Sequence, residues 1–415
     1  MTTPAIERMS WEESLRTQTA IGAGLMASSE ATWDSCRLYL AWATDKLPPM
    51  AQNPPETPLA ETPTKIGISS DQKAEKLDRR ISVAPMMDWT DRHCRYFLRG
   101  FSPDVLLYSE MITAAAIVRG DGARLLAFDP EEHPVALQLG GSEPRELAAA
   151  ARAGEQAGYD EINLNCGCPS DRVASGAFGA CLMHEPARVA ECVAAMRAAV
   201  RVPVTVKMRI GVVNGAEPGA HGSVAQFDES DFEALCHFVS SVRDGGCQAA
   251  IVHAREAVLG GLSPKDNREI PPLRYEIVRR LKAAFPSLPI VVNGGLREPP
   301  AVLEALSWCD GVMLGREAYH RPYVLAELRC ALRPGAGVAP TREALIARMQ
   351  RYAERELAGG GHLAAITRHM LGLYSGEPGA RDYRRTLSEG ARAPGVGPEL
   401  LRQAIPAAAR AREVC

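Results

Sequence analysis

From residue 81 onward, eight short apolar runs recur along the chain with longer amphipathic stretches between them. The runs cover 81–86, 105–111, 135–141, 161–167, 204–209, 249–255, 290–295 and 311–316, and the helical patterns between them include 143–157, 186–200, 231–244, 272–284 and 299–308. Buried strands that alternate with helices demand parallel pairing, because each parallel crossover needs a connection long enough to hold a helix. Eight such units over about 240 residues predict an α/β fold of the closed (β/α)8 kind, a TIM barrel. A doubly wound open sheet would need a Gly-x-Gly-x-x-Gly turn after its first strand, where this chain has Ala84-Pro85-Met86-Met87.

The barrel is expected to occupy residues 79–331 of the 415. Before it, residues 1–78 contain a candidate short helix at 33–42 and a Pro/Thr-rich stretch at 47–64, which read as a flexible or disordered extension. Glu7, Glu12 and Glu13 argue against an organellar transit peptide, and Met50 is a second candidate start. Residues 332–415 return to a helical pattern (342–357, 363–374 and a last helix) and predict an appended C-terminal helical domain. Residues 213–230 read as a loop after the fifth strand, more simply a tolerated surface insertion than an element of the catalytic face.

Charge and cysteine content narrow the function classes. A net charge of −3 gives no global polybasic signal. Residues 332–415, however, hold thirteen arginines, no lysine and eight acidic residues, a local excess of five positive charges suited to phosphate. Eleven scattered cysteines, with no secretory segment and no apolar run of membrane length, predict a reduced cytoplasmic protein without a membrane association. Cys166-Gly167-Cys168 has no second Cys/His pair at ligand spacing, so no metal is expected.

The ends of the predicted strands carry Met86, Glu110, Gln138, Asn165 with Cys168, Lys207 with Arg209, His253 with Arg255, Asn293, and Gly315 with Arg316. Burying unpaired polar groups costs roughly 2–7 kcal/mol each, so a ring of them at one face points to a ligand site rather than to packing. Asn293-Gly294-Gly295 and Gly315-Arg316 follow strands seven and eight, the usual phosphate site of this fold. His253 and Arg255 can close that site, Lys207 can stabilise negative charge on a cofactor ring, and the amides of Gln138 and Asn165 suit a heterocycle edge.

Cys168 stands where the fourth strand opens into a Gly-Cys-Pro turn, followed by the glycine-containing run 175–183. A nucleophilic role needs a lowered pKa and a nearby base, and the sequence places no histidine beside it. A proton-donor role needs only a thiol, which an ordinary cysteine of pKa about 8.5 remains at neutral pH. The donor role therefore ranks above the nucleophile, and both above a structural cysteine. Strand alternation puts Cys166 with Ile162 and Leu164 on the opposite face, as packing.

In combination these motifs resemble the tRNA-dihydrouridine synthases, and within them the bacterial A-type branch. The stretches that carry the resemblance are Val83-Ala84-Pro85-Met86-Met87-Asp88-Trp89-Thr90-Asp91, Leu107-Tyr108-Ser109-Glu110-Met111, Gln138-Leu139-Gly140-Gly141 and residues 163–183. Further on they are Val206-Lys207-Met208-Arg209, Val252-His253-Ala254-Arg255, residues 261–273, Asn293-Gly294-Gly295, Met313-Leu314-Gly315-Arg316, and residues 367–374 and 379–385. The likeness runs from about Arg80 to the C-terminus and leaves out the first seventy-odd residues. Cys166, where an apolar residue would be expected, and the length of the 213–230 loop depart from the pattern.

The resemblance implies FMN as cofactor, NADPH as reductant and a uridine of the tRNA D-loop as substrate, reduced at C5–C6, with the 20/20a pair favoured. Carried over, Ala84, Pro85, Met86 and Gln138 contact the flavin ring and Lys207 lies near its N1/O2 edge. His253, Asn293, Gly294, Gly295, Gly315 and Arg316 hold the ribityl phosphate. Cys168 donates a proton to uracil C5 while flavin N5 delivers hydride to C6. Asn165 is the candidate for the flipped uracil. The loop with Lys265, Asp266, Arg268 and Glu269, and the helical-domain arginines Arg381, Arg384 and Arg385, would meet the tRNA backbone. A monomer is expected. The rival readings are a flavin-dependent reductase of free pyrimidines or another small enone, and a non-catalytic FMN-containing RNA-binding protein.

Overall fold

Strand parity decides which side chains meet which layer. In the computed structural model, which describes residues 77–170, 178–214, 227–260, 262–335 and 338–410, eight parallel strands close into a barrel. They are β1 (Ile81–Val83), β2 (Leu106–Thr113), β3 (Val135–Gly140), β4 (Glu161–Cys166), β5 (Val204–Arg209), β7 (Ala250–His253), β9 (Ile290–Asn293) and β10 (Gly311–Leu314), in the spatial order β1-β10-β9-β7-β5-β4-β3-β2. The eight expected strands are all present, and the TIM barrel stands. The candidate helix at 33–42 and the rest of the chain up to residue 76 lie outside the described residues.

Every second residue faces the helices. Ile162, Leu164 and Cys166 of β4, Val204, Val206 and Met208 of β5, and Val252, Val292 and Val312 of their neighbours join one large apolar cluster with helices such as Pro144–Ala157 and Pro186–Ala199. Full burial of one such side chain contributes roughly 1.5–3 kcal/mol, which makes this shell the main source of cohesion. The opposite parity faces the barrel axis. There a smaller apolar cluster of Ala84, Leu106, Tyr108, Ala136, Ile251, Val291 and Met313 fills one part of the interior.

Two short strands, β6 (Val212–Asn214) and β8 (Ala257–Leu259), pair parallel to each other just beyond β5 and β7. The sequence predicts a loop beginning at residue 213. Three-residue strands are too short to show a period, and here pairing rather than pattern makes them. The helix that follows β6 starts at Glu229, inside the expected loop, because Asp228 forms a capping box with Asp231. Residues 215–226 lie outside the described residues.

After the barrel come helices Tyr323–Leu332, Arg342–Ala358, Leu363–Thr367, Ala380–Gly390, Leu400–Gln403 and Ala407–Arg410. Expected residues 363–374 hold only a short helix followed by turns. These helices and turns share the large apolar cluster through Leu345, Ile346, Met349, Tyr352, Leu363, Ile366, Tyr374 and Tyr383. They are also tied to the barrel by charge: Arg333 to Asp78 (2.8 Å) and Asp104 (2.9 Å), Arg348 to Glu131 (2.5 Å), Arg355 to Asp129 (2.9 Å) and Arg368 to Asp91 (2.7 Å). Much of the arginine excess is therefore spent on docking the helices and is not free for phosphate.

Candidate active site

The turn after β4 is built around Asn165. Its Oδ1 accepts from the backbone N–H groups of Gly167 (3.1 Å) and Cys168 (3.0 Å). The carbonyl of Cys168 accepts from Ala180 N–H (2.9 Å), and that of Gly167 accepts from Arg209 Nε (3.2 Å). Cys168 is thereby held at the rim, partly exposed. Its charged neighbours are Lys207, Arg209 and Arg268, and among the described residues no side chain hydrogen-bonds its sulfur. Cys166 is fully buried in the outer shell, and burial pushes its thiol well above the ordinary range.

Gln138 and Asn165, read from the sequence as separate amides for a heterocycle, are bonded to each other. Asn165 Nδ2 donates to Gln138 Oε1 (2.9 Å), and Gln138 Nε2 donates to Asn163 Oδ1 (2.8 Å). An amide NH2 has two donors, so each keeps one N–H for a ligand. Lys207 is the next inward residue on β5, level with Asn165. Burial, with Arg209 adding to it and Cys168 opposing, pulls its amine down to about 7. Arg209 is buried, its partners among the described residues are the carbonyls of Gly167, Glu256 (3.1 Å) and Asn267 (3.0 Å), and burial pushes it down to about 9. Sequence reading put Arg209 in the ring but gave it no role. It is the strut that joins the Cys168 turn to the loop around Asn267.

The far side of the rim is a cluster of cations. Burial, then Arg209, Lys207, Arg255 and Arg268, hold His253 well below its usual range, so its imidazole is neutral at pH 7. Burial also lowers Arg255 and Arg268, and Arg316 lowers both further. Arg316 pairs with Glu269 (2.6 Å). At the end of β9, Gly294 and Gly295 have φ of +114° and +71°. A Cβ on Gly294 would stand 2.6 Å from His253 Cδ2, and one on Gly295 would stand 2.3 Å from Leu273 Cδ1, so only glycine fits at either position. Tyr275 OH, which the sequence gave no sign of, donates to Gly294 O (2.5 Å) and fixes this turn. Asn293 uses Nδ2 to bond Met313 O (2.7 Å) across β10. Cations beside a left-handed glycine turn, with no Cβ to block approach to its backbone, are the chemistry of an anion cradle, and a phosphate fits it.

Ala84 continues the β1–β10 ladder by donating to Leu314 O (2.7 Å), and Met86 packs on the interior apolar cluster from a turn closed by Thr90, whose Oγ1 accepts from Met86 N–H (2.9 Å). Pro85 is partly exposed between them, and Gly315 has open space where a Cβ would lie, with Ala84 and Met86 no nearer than 4.0 Å. These residues line the β1–β10 side of the same rim. Beyond them Trp89 stacks on Tyr319 (4.4 Å, 18°), and Asp91 bonds Arg368 and His369. Burial alone would raise the Asp91 carboxyl, but His369 and Arg368 hold it well below the usual range. Glu110, on the rim within the register shift of β2, is raised by burial and by Asp91 and Asp88.

The candidate RNA contacts fall into two groups. Asn267, buried, pins its loop to β8 by accepting from Val258 N–H (2.8 Å) and donating to Val258 O (2.9 Å), which presents Lys265 and Arg268 outward. Asp266 and Glu269 of that loop have internal partners, Ser263 Oγ (2.7 Å) and Arg316. Arg381, Arg384 and Arg385 are exposed on helix Ala380–Gly390, on one face by their spacing, opposite buried Tyr383 and Leu387. Arg385 also meets Asp382 (3.0 Å). Among the described residues no helix is long and apolar enough to cross a membrane.

Residues 82–410 match the family model described as dihydrouridine synthase. Among curated proteins, the tRNA-dihydrouridine(20/20a) synthase of Xanthomonas axonopodis pv. citri is 53% identical over 339 residues, 81% of this chain and 96% of that protein. The proteins of the same name from Vibrio cholerae and Pseudomonas aeruginosa are 52% and 54% identical, over 79% and 75% of this chain and 95% and 90% of their own lengths.

Proposed function

The chain belongs to the dihydrouridine synthase family, and from that premise we propose that it reduces the C5–C6 bond of D-loop uridines 20 and 20a in tRNA, with FMN as cofactor and NADPH as reductant. The observation that carries this reading is that one barrel rim joins a held thiol, Cys168, to an anion cradle, with Lys207 between them. The family is one of flavin-dependent oxidoreductases, and the donor set of this rim suits FMN in particular.

Gly294, Gly295, Gly315, Arg316 and His253 hold the phosphate, with Asn293 fixing the strand end beneath them. Ala84, Pro85, Met86 and Gln138 line the ring, and Lys207 sets a cation beside it. FMN, when bound, supplies the hydride for uracil C6 and is recharged by NADPH. Cys168 gives its thiol proton to C5, which needs no partner base. Asn165 offers its remaining N–H to the uracil edge while its oxygen holds the turn. A uridine must leave its stack to reach this rim, and Lys265, Arg268, Arg381, Arg384 and Arg385 grip the backbone around it. Asp266 and Glu269 act within the protein, shaping the loop and orienting Arg316.

The test is to incubate the purified protein with FMN, NADPH and unmodified tRNA and to map dihydrouridine by position. The reading predicts product at 20 and 20a and none from free uridine. Reduction of free uridine at a comparable rate would make the enzyme a small-molecule reductase instead.

A further inference from the structure

The interior of this barrel contains a line of hydrogen bonds that ends in two residues of the proposed site, Gln138 and Asn165, but begins well below it. It starts at Glu161, at the beginning of β4. Glu161 Oε2 accepts from Arg79 Nε (2.8 Å) and Nη2 (2.5 Å), and Oε1 accepts from Tyr108 OH and Thr205 Oγ1 (2.6 Å each). Thr205 Oγ1 in turn accepts from Asn163 Nδ2 (2.9 Å). Asn163 Oδ1 accepts from Gln138 Nε2, Gln138 Oε1 from Asn165 Nδ2, and Asn165 Oδ1 from the N–H groups of Gly167 and Cys168. All five side chains from Glu161 to Asn165 are buried.

The line has a direction. A carboxylate can only accept, so the single Thr205 proton must point at Glu161. That leaves Thr205 a lone pair, so Asn163 must turn its NH2 toward it and its oxygen toward Gln138. Gln138 must then present NH2 to Asn163 and oxygen to Asn165, and Asn165 must present NH2 to Gln138. Only one group of Asn165 remains for the turn, its oxygen, and the turn offers two N–H donors. Each link removes the amide flip that an isolated Asn or Gln would be free to make.

We propose that this ladder is the positioning device for Cys168: Glu161, Thr205 and Asn163 are positioning residues that fix the orientation of Asn165, and through it the turn that carries the thiol. Reversal of any link would aim the Asn165 NH2 at two N–H groups and release the turn. The proposal rests on the functional reading only for the role of Cys168.

The test compares Thr205→Val, near-isosteric but without the hydroxyl, with Thr205→Ser, which keeps it. Both are made in the full-length holoenzyme, with Thr205→Ala as a second hydroxyl deletion should the valine protein not fold. The first readout is the rate of Cys168 alkylation by iodoacetamide, followed by peptide mass, and it needs no tRNA. The second is kcat and KM for tRNA. The ladder predicts that Thr205→Val raises the alkylation rate at least about threefold and lowers kcat about tenfold with KM for tRNA within about twofold. Thr205→Ser should restore both to within about twofold of the wild type. Unchanged alkylation or unchanged kcat in the valine protein would overturn the proposal, as would equal losses in valine and serine proteins. A wild type that makes no dihydrouridine would sink the functional reading, while the alkylation comparison would still decide the ladder.

Discussion

The two sides of the barrel interior solve opposite problems. On β3, β4 and β5 the inward residues other than Ala136 are polar, Gln138, Glu161, Asn163, Asn165, Thr205, Lys207 and Arg209, and all of these but Lys207 are joined by the hydrogen bonds given above. On β7, β9 and β10 the inward residues are apolar below, Ile251, Val291 and Met313, with His253 and Asn293 only at the rim. The first side is complete in itself. The second ends in the cations Arg255, Arg268 and Arg316, where Arg316 lowers the other two and Glu269 offsets part of their charge. Hydrogen bonding ties one side together before any ligand binds, while three arginines beside one acid suit the other side to the proposed phosphate. The proposed reaction needs both: a thiol held in place and a cofactor that is held.

The largest effect should come from filling the cradle. Gly294→Val puts a branched side chain into the His253 ring at a positive φ, a local cost of about 1–3 kcal/mol before any clash. The protein should be purified without flavin and without activity, checked by its visible spectrum and by dihydrouridine assay, while the Cys168 alkylation rate stays near that of wild-type protein stripped of flavin. If alkylation changes as much as flavin content, the two sides are not independent.

Next in size is the RNA grip. Replacing Arg381, Arg384 and Arg385 together with alanine should raise KM for tRNA at least about tenfold and reduce the salt slope of binding by about two to three. Flavin content should be unchanged. Truncation at residue 332 would be a poorer experiment, because Leu345, Ile346 and Tyr383 belong to the main apolar cluster.

A smaller effect concerns protons. Lys207 sits near 7 in the folded protein against an ordinary 10.5. Its desolvation burden is thus full below pH 7 and is relieved as pH rises from 7 toward 10.5, so this group makes the flavin-free protein more stable with rising pH across that window. An anionic ligand pulls the amine back toward its charged form. FMN binding at pH 8 should therefore take up a proton, measured by calorimetry in buffers of different ionisation enthalpy, and Lys207→Met should reduce the uptake. Equal uptake in both proteins would remove Lys207 from the cofactor site. The smallest effect is expected from Arg355→Ala, an exposed pair with Asp129, which should cost no more than about 1 kcal/mol in thermal unfolding.

The barrel was legible because its strands are buried on both faces and separated by amphipathic helices, so the eight runs stand out by composition alone. The rim was legible for a related reason: Gln138, Asn165, Lys207, His253 and Asn293 break otherwise apolar runs. The ladder was not, although its signal was present. Parity puts Glu161, Asn163 and Asn165 on one face of β4 and Thr205 and Lys207 on one face of β5, but the cross-strand register that joins them is a tertiary fact. Tyr275 and Asn267 were invisible because each acts on a backbone group in another element, 19 and nine residues away, which no local pattern marks. The arginine excess of residues 332–415 was visible as a number, yet its division between docking and exposure depends on acids in the barrel such as Asp91, Asp104 and Glu131.

The claim that Cys168 is the proton donor held by the hydrogen-bonded side is tested most directly by single-turnover mixing. Wild-type protein and Cys168→Ala are reduced anaerobically with NADPH and then mixed with unmodified tRNA. The account predicts equal rates of flavin reduction by NADPH, and reoxidation by tRNA slowed at least about 100-fold in the alanine protein. Reoxidation at the wild-type rate, with dihydrouridine formed, would contradict it.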